Sequence, residues 1–165
     1  MQRILIVDVE KCTGCRMCEV ICSFHHERKI APAKSRIHVL SWEREGLFIP
    51  MMCLHCDTPI CLRICPVQAI YKDPQTGGVL VNSDVCIGCK MCVISCPFGG
   101  ISMDMDTRKI IKCDLCLGNP KCAEICPTGA ISYATVTKAT LSRKRESVRR
   151  IEELVKKLAI YPTQT

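Results

Sequence analysis

The sequence predicts an α+β chain made of two related halves, with short hairpins set between metal-binding loops and a helix at the C-terminal end. Three observations carry this. Sixteen cysteines in 165 residues fall into four quartets, with none left over. Three quartets leave through a Cys-Pro step into an apolar stretch. The first quartet, together with its flanks, recurs at the third.

The quartets are Cys12, Cys15, Cys18 and Cys22; Cys53, Cys56, Cys61 and Cys65; Cys86, Cys89, Cys92 and Cys96; and Cys113, Cys116, Cys122 and Cys126. The first and third have the C-x2-C-x2-C-x3-C spacing that wraps a cubane [4Fe–4S] cluster. Iron in such clusters takes soft thiolates in tetrahedral geometry, and two-residue gaps let one tight curl of backbone present three of them. Gly14 and Gly88 stand where that curl is sharpest. The fourth cysteine, three residues on, points out of the curl toward a different cluster.

Two other readings of the cysteines fail. Zinc sites usually pair two C-x2-C knuckles, whereas here four cysteines run within eleven residues, twice over. A disulfide framework belongs to small exported domains. Met1 to Asp8 turns acidic after a few apolar residues and offers no h-region, twin arginines or small-residue cleavage site. The longest apolar run is only a few residues, far short of a membrane span. The expectation is a soluble, cytoplasmic chain holding four [4Fe–4S] clusters, its folding coupled to the metal.

The elements follow in order. Arg3 to Val9 reads as a strand pairing with Ala130 to Thr135. The exits Cys65-Pro66-Val67-Gln68-Ala69-Ile70, Cys96-Pro97-Phe98-Gly99-Gly100-Ile101 and Cys126-Pro127-Thr128-Gly129-Ala130-Ile131 each end a short helical turn, because proline lacks an N–H and fixes φ. The Ile that closes each exit begins a strand. After Cys22 this exit is missing, and Ser23-Phe24-His25-His26-Glu27 follows.

Hairpins fill the gaps between quartets. Ile70 to Lys72 and Val79 to Val81 flank the turn residues Asp73 to Gly78, and Ile101 to Met103 and Lys109 to Ile111 flank Asp104 to Arg108. Cys12 to Cys53 is 41 residues and Cys86 to Cys113 only 27, so the first half carries an insertion near residues 23–50. It predicts a hairpin of Arg36 to Trp42 against Leu47 to Met51, turned at Glu43 to Gly46.

Two segments result: a four-cluster, ferredoxin-like domain over 1–137 and a basic amphipathic tail over 138–165. Leu141, Val148, Ile151, Leu154, Val155 and Leu158 fall on one helical stripe, closed by Pro162. That stripe suits a helix folded back on its own domain as well as one docked on a partner.

The formal charge of +7 counts cysteines as neutral. Four oxidised clusters with their thiolates shift it by about −8, to about −1. A basic surface for nucleic acid is therefore a poor reading. The tail holds eight Lys or Arg and three Glu, leaving an acidic body with a basic end.

The run Cys12-Thr13-Gly14-Cys15-Arg16-Met17-Cys18-Glu19-Val20-Ile21-Cys22, with three Cys-Pro quartets after it, resembles the four-cluster ferredoxin-type electron-transfer subunits of the dimethyl sulfoxide reductase type. Ser23 to Glu27 after Cys22 is similar to the small electron-transfer subunit of tungsten aldehyde oxidoreductases. The resemblance implies that the outer quartets exchange their last cysteines, and the inner ones likewise. Cys12, Cys15 and Cys18 then share a cluster with Cys126, and Cys113, Cys116 and Cys122 share one with Cys22. Cys53, Cys56 and Cys61 join Cys96, and Cys86, Cys89 and Cys92 join Cys65. The half-repeat by itself suggests pairing the first quartet with the second and the third with the fourth.

The same resemblance implies a non-catalytic subunit relaying single electrons for a tungsten- or molybdenum-pterin oxidoreductase, with aldehyde oxidation favoured. A flavin or ferredoxin acceptor protein and a second copy of the chain are further candidate partners. The alternative is a free polyferredoxin shuttling between several enzymes. A radical enzyme would need C-x3-C-x2-C, which does not occur, and no G-x-G-x-x-G fingerprint marks a nicotinamide or flavin site. Among the histidines, His55 lies inside Cys53-Leu54-His55-Cys56, where a surface or hydrogen-bonding role is expected. His25 and His26 read as hinge or interface residues, and His38 falls in the insertion hairpin.

Overall fold

Among the described residues, four separate two-stranded antiparallel ladders, rather than one sheet, organise the fold. A computed structural model describes residues 3–137, 140–142, 145–146, 149 and 153. Strand β1 (Arg3–Val7) is joined to β8 (Ile131–Thr135), with Arg3 opposite Thr135 and Val7 opposite Ile131. This ladder ties the two ends of the domain together. The insertion forms β2 (Ile37–Trp42) and β3 (Leu47–Met52), with Gly46 at φ 63° closing the turn between them. β4 (Ile70–Lys72) pairs with β5 (Val79–Val81), and β6 (Ile101–Met103) with β7 (Ile110–Lys112). The stripe expected along the tail lies mostly outside the described residues.

The helices are unequal, and proline explains why. α2 (Ile60–Arg63), α3 (Met91–Ile94) and α4 (Lys121–Ile125) are one turn or slightly more, each halted ahead of Pro66, Pro97 or Pro127. Continuing the helix through a proline would remove a backbone donor and clash with the preceding turn. With no proline after Cys22, α1 runs on from Met17 to Glu27, eleven residues, before Arg28 turns left-handed at φ 57°.

Two larger apolar cores lie under these elements, besides a small one of Val9, Leu47 and Ile49 at the inserted hairpin. One gathers Leu5, Ile37, Val39, Met52, Leu115 and Ile131 around Cys18, Cys22 and Cys122. The other gathers Ile70, Val79, Ile101 and Ile110 around Cys61 and Cys92. The outer quartets build the first core and the inner quartets the second. The fold is the expected α+β arrangement of short hairpins around cysteine loops.

Candidate metal centres

Each cysteine loop is shaped before any side chain is considered. Gly14 and Gly88 adopt φ of 70° and 68°, and Arg16 and Lys90 follow at 57° and 64°. These left-handed residues curl the backbone so that Cys12, Cys15 and Cys18, or Cys86, Cys89 and Cys92, face one point. Gly88 also has no room for a side chain, since a Cβ would stand 2.8 Å from the carbonyl oxygen of Arg108.

Four cavities result, and each is lined by four cysteines. The first is ringed by Cys12, Cys15, Cys18 and Cys126, and the second by Cys22, Cys113, Cys116 and Cys122. Cys53, Cys56, Cys61 and Cys96 line the third, and Cys65, Cys86, Cys89 and Cys92 the fourth. In every cavity three cysteines come from one quartet and one from another. The remaining wall of the first is mostly apolar, with Val39, Pro50 and Ile131, whereas at the second Ile37, Met52 and Pro120 stand beside His26, Arg36 and Asp114. Four soft donors around a small, largely apolar void suit a cubane iron–sulfur core.

The helices set the order of the cavities. α1 carries Cys18 of the first set and Cys22 of the second one turn later, and α4 with its cap carries Cys122 and Cys126 of the same two sets. α1 and α4 pack together. α2 and α3, also packed together, relate Cys61 and Cys96 of the third set to Cys65 and Cys92 of the fourth in the same way. Between these two units Cys113 follows Lys112, whose Nζ donates to Sγ of Cys53 at 3.0 Å. The sets therefore stand in a row, first to fourth. Cys15 of the first set and Cys89 of the fourth are exposed, while Cys22 and Cys53 in the middle are buried.

Burial pushes the thiol of Cys113 up to about 12, with the neighbouring Cys53 adding to it. Cys18 is likewise raised to about 12 by burial and then by Glu19, and Cys92 to about 11 by burial and its neighbours Cys86 and Cys89. Without metal, such thiols keep their protons, so loading iron must release them. Cys126 differs. Burial works to raise it, but N–H groups of Ile131 and Ala130 and the Thr128 hydroxyl outweigh that and lower it. Other backbone donors reach sulfur directly: Arg36 to Cys22 at 3.3 Å, His55 to Cys53 at 3.4 Å and Ala69 to Cys65 at 3.2 Å. Such bonds stabilise thiolate and tune cluster potential.

Several polar groups beside the cavities carry no signal in the cysteine pattern. Arg36 Nη1 pairs with Asp114 Oδ2 at 2.6 Å, and His26 Nε2 lies 3.5 Å from Asp114 Oδ1 and 3.9 Å from Cys116 Sγ. The uninterrupted α1 is what carries His26 there, with the ring of His25 edge-on to it at 4.8 Å. His55 is buried rather than at the surface, and its Nδ1 accepts from the Val79 N–H at 2.9 Å. Glu19 and Lys112 are both only 5% exposed.

Residues 44–148 match the family described as 4Fe-4S dicluster domain, and residues 9–24 match a 4Fe-4S binding domain. The chain belongs to the 4Fe-4S dicluster domain family. It is 42% identical over 93 residues to the polyferredoxin-like subunit of the aliphatic sulfonate oxidoreductase of Pyrococcus furiosus, covering 56% of this chain and 53% of that protein. It is 35% identical over 96 residues to a tetrathionate reductase subunit of Archaeoglobus fulgidus, covering 58% of this chain and 46% of that one. Against the putative electron transport protein YsaA of Escherichia coli K12 it is 37% identical over 125 residues, covering 68% and 75%. The chain spans about half the length of the first two relatives. Its cofactors are four [4Fe–4S] clusters, as the sixteen cysteines and the two matched 4Fe-4S families indicate. No helix among the described residues is long and apolar enough to cross a membrane.

Proposed function

We propose that the chain is the electron-relay subunit of a cytoplasmic tungsten- or molybdenum-pterin oxidoreductase, with an aldehyde as the substrate of the partner. The observation that supports it most is the row of four four-cysteine cavities with one exposed cysteine at either end. The relatives named as subunits of an oxidoreductase and a reductase support the complex. The aldehyde rests on the resemblance carried by Ser23 to Glu27.

Each four-cysteine set holds one cluster in this reading. When bound, the cluster supplies reversible one-electron storage at each stop. The protein's residues do the rest. Shared helices hold neighbouring sets one turn apart, apolar walls exclude water, and backbone N–H groups steady the thiolates. Residues 1–137 form the conducting domain, and the basic tail over 138–165 contacts the partner.

Cysteine-to-serine variants test the assignment through iron content, against about sixteen iron atoms in the intact protein. Cys18→Ser combined with Cys126→Ser, on different quartets but around one cavity, loses no more iron than either alone. Cys18→Ser combined with Cys22→Ser, one turn apart on α1, loses twice as much. The reverse pattern refutes the sets. For the partner, the natively isolated complex is mixed anaerobically with an aldehyde. Bleaching of the iron–sulfur absorbance supports the substrate, and bleaching by another substrate class alone overturns the aldehyde while leaving the relay intact.

A further inference from the structure

Glu19 and Lys112 are the buried carboxylate and the buried ammonium among the described residues, and they border different cavities. Glu19 follows Cys18 in the first turn of α1. Its Oε1 accepts from the Val39 N–H at 2.6 Å, which fixes the carboxylate between α1 and β2 beside the first cavity. Its negative charge works against ionisation of Cys18. Lys112 ends β7 two cavities away. Its Nζ donates to Sγ of Cys53 at 3.0 Å and to the carbonyl oxygen of Val79, so the ammonium is pinned against the third cavity.

The other two cavities have no buried charge of their own, although Lys112, one residue before Cys113, also bears on the second. At the second, the Arg36 guanidinium is matched by the Asp114 carboxylate at 2.6 Å. The fourth is walled by Val67, Ile70, Val81 and Ile110, and the one charged residue lining it, Lys90, is exposed to solvent. Along the row the buried charge thus reads negative at the first set, positive between the second and third with its direct contact at Cys53 of the third, and none at the fourth.

An added electron is repelled by a nearby carboxylate and attracted by a nearby ammonium, and both effects grow where water is excluded. We propose that Glu19 and Lys112 give the row a built-in slope. Glu19 makes the cluster of the first set the hardest of the four to reduce, and Lys112 makes the cluster of the third set the easiest. A low-potential donor docked at the first set then delivers one electron that runs downhill to the third. Each hop moves one electron and neither forms nor breaks a bond. This slope rests on the cluster assignment of the relay reading, and its test separates the two.

The test is an equilibrium redox titration of the full-length, anaerobically purified protein, followed by electron paramagnetic resonance. Lys112→Met lowers the highest midpoint by at least tenfold in the one-electron reduction constant, which is about 59 mV, and leaves the lowest within threefold. Glu19→Gln keeps the acceptor for the Val39 N–H and raises the lowest midpoint by at least tenfold while leaving the highest in place. Lys112→Arg, which keeps the charge, holds the highest midpoint within threefold. An iron-replete Lys112→Met protein with an unmoved highest midpoint overturns the slope, and so does a uniform shift of all four. If Lys112→Met sheds iron, Glu19→Gln and Lys112→Arg decide it: an unmoved lowest midpoint or a fallen highest one overturns the proposal. A wild-type protein without four cluster signals fails the relay reading instead.

Discussion

Gly99 and Gly100 are neighbours that need to be glycine for opposite reasons, and replacing each by alanine separates the two. At Gly99 the backbone is left-handed, φ 59°, and the space beside it is open. Alanine there carries only the left-handed penalty of about 1–2 kcal/mol. At Gly100 the φ is ordinary, but a Cβ would stand 2.6 Å from Cα of Cys53, 2.8 Å from its nitrogen and 3.0 Å from the carbonyl carbon of Met52. These are backbone atoms, so no rotamer change relieves them. Overpacking of one methyl group typically costs about 1–3 kcal/mol, and backbone against backbone puts Gly100→Ala at the upper end, about 3 kcal/mol. Because Cys53 and Cys96 line the same cavity, the strain falls on the third set. Iron release to a chelator from one cluster in four should quicken by about a hundredfold, taking 1.4 kcal/mol per tenfold. Gly99→Ala should quicken it by about tenfold. Equal rates for the two variants, or a Gly100→Ala protein as stable as wild type, would refute the steric reasoning.

Other perturbations follow from the same contacts. A Cβ on Gly14 would collide with the ring of Phe48, a side chain that can give way, so Phe48→Ala should restore part of the iron that Gly14→Ala loses, read by metal analysis of the double variant. Arg36→Ala leaves the half-buried Asp114 carboxylate without its guanidinium, and should destabilise the second set by about 1–3 kcal/mol, seen as faster release of one cluster's iron. Burial, then Arg36, hold the His26 imidazole below its usual 6.5. Its stabilising share is therefore complete above the unfolded value and erodes as pH falls from there toward the lowered one. Iron retention should decline as pH falls below the ordinary histidine value in the wild type and decline less in His26→Gln; identical slopes would exclude His26 as the cause.

What is legible in the sequence is what repetition and period control. The Cys-Pro exits, the Gly positions of the curls and the hairpin turns are local devices, and the strands stand within a residue or two of where these put them. β7 is one example: the pattern places a strand at Lys109 to Ile111, and the ladder runs Ile110–Lys112. The one-residue slip matters, because it places Lys112 at the strand end where it turns inward. No local pattern could indicate that a lysine goes into the core. Its burial depends on a sulfur and a carbonyl brought there by segments 59 and 33 residues away. Glu19 is hidden for a similar reason, since its partner Val39 sits in the inserted hairpin. The missing proline after Cys22 is visible in the sequence, but not that α1 uses the freedom to carry His26 to Cys116.

The inserted hairpin also explains why two halves of common design present different ends. In the first half β2 and β3 lie over the cysteine curl. Val39 and Pro50 line the first cavity, Phe48 seats against Gly14, and the Arg16 side chain reaches Ser41 Oγ at 3.3 Å. At the third quartet the shorter β6–β7 hairpin takes that place, with Arg108 over Gly88 and Ile110 lining the fourth cavity, and there Ile87 is 65% and Ile94 81% exposed. The longer hairpin therefore gives the first set the wider roof, while Ile87 and Ile94 near Cys89 stay open. A roof of that kind lowers solvent access and so disfavours added charge, acting in the same direction as Glu19. Removing the buried carboxylate and thinning the roof at Phe48 should shift the lowest midpoint upward independently, and their effects should add when Glu19→Gln and Phe48→Ala are combined, unless the two residues act through a shared movement of β2.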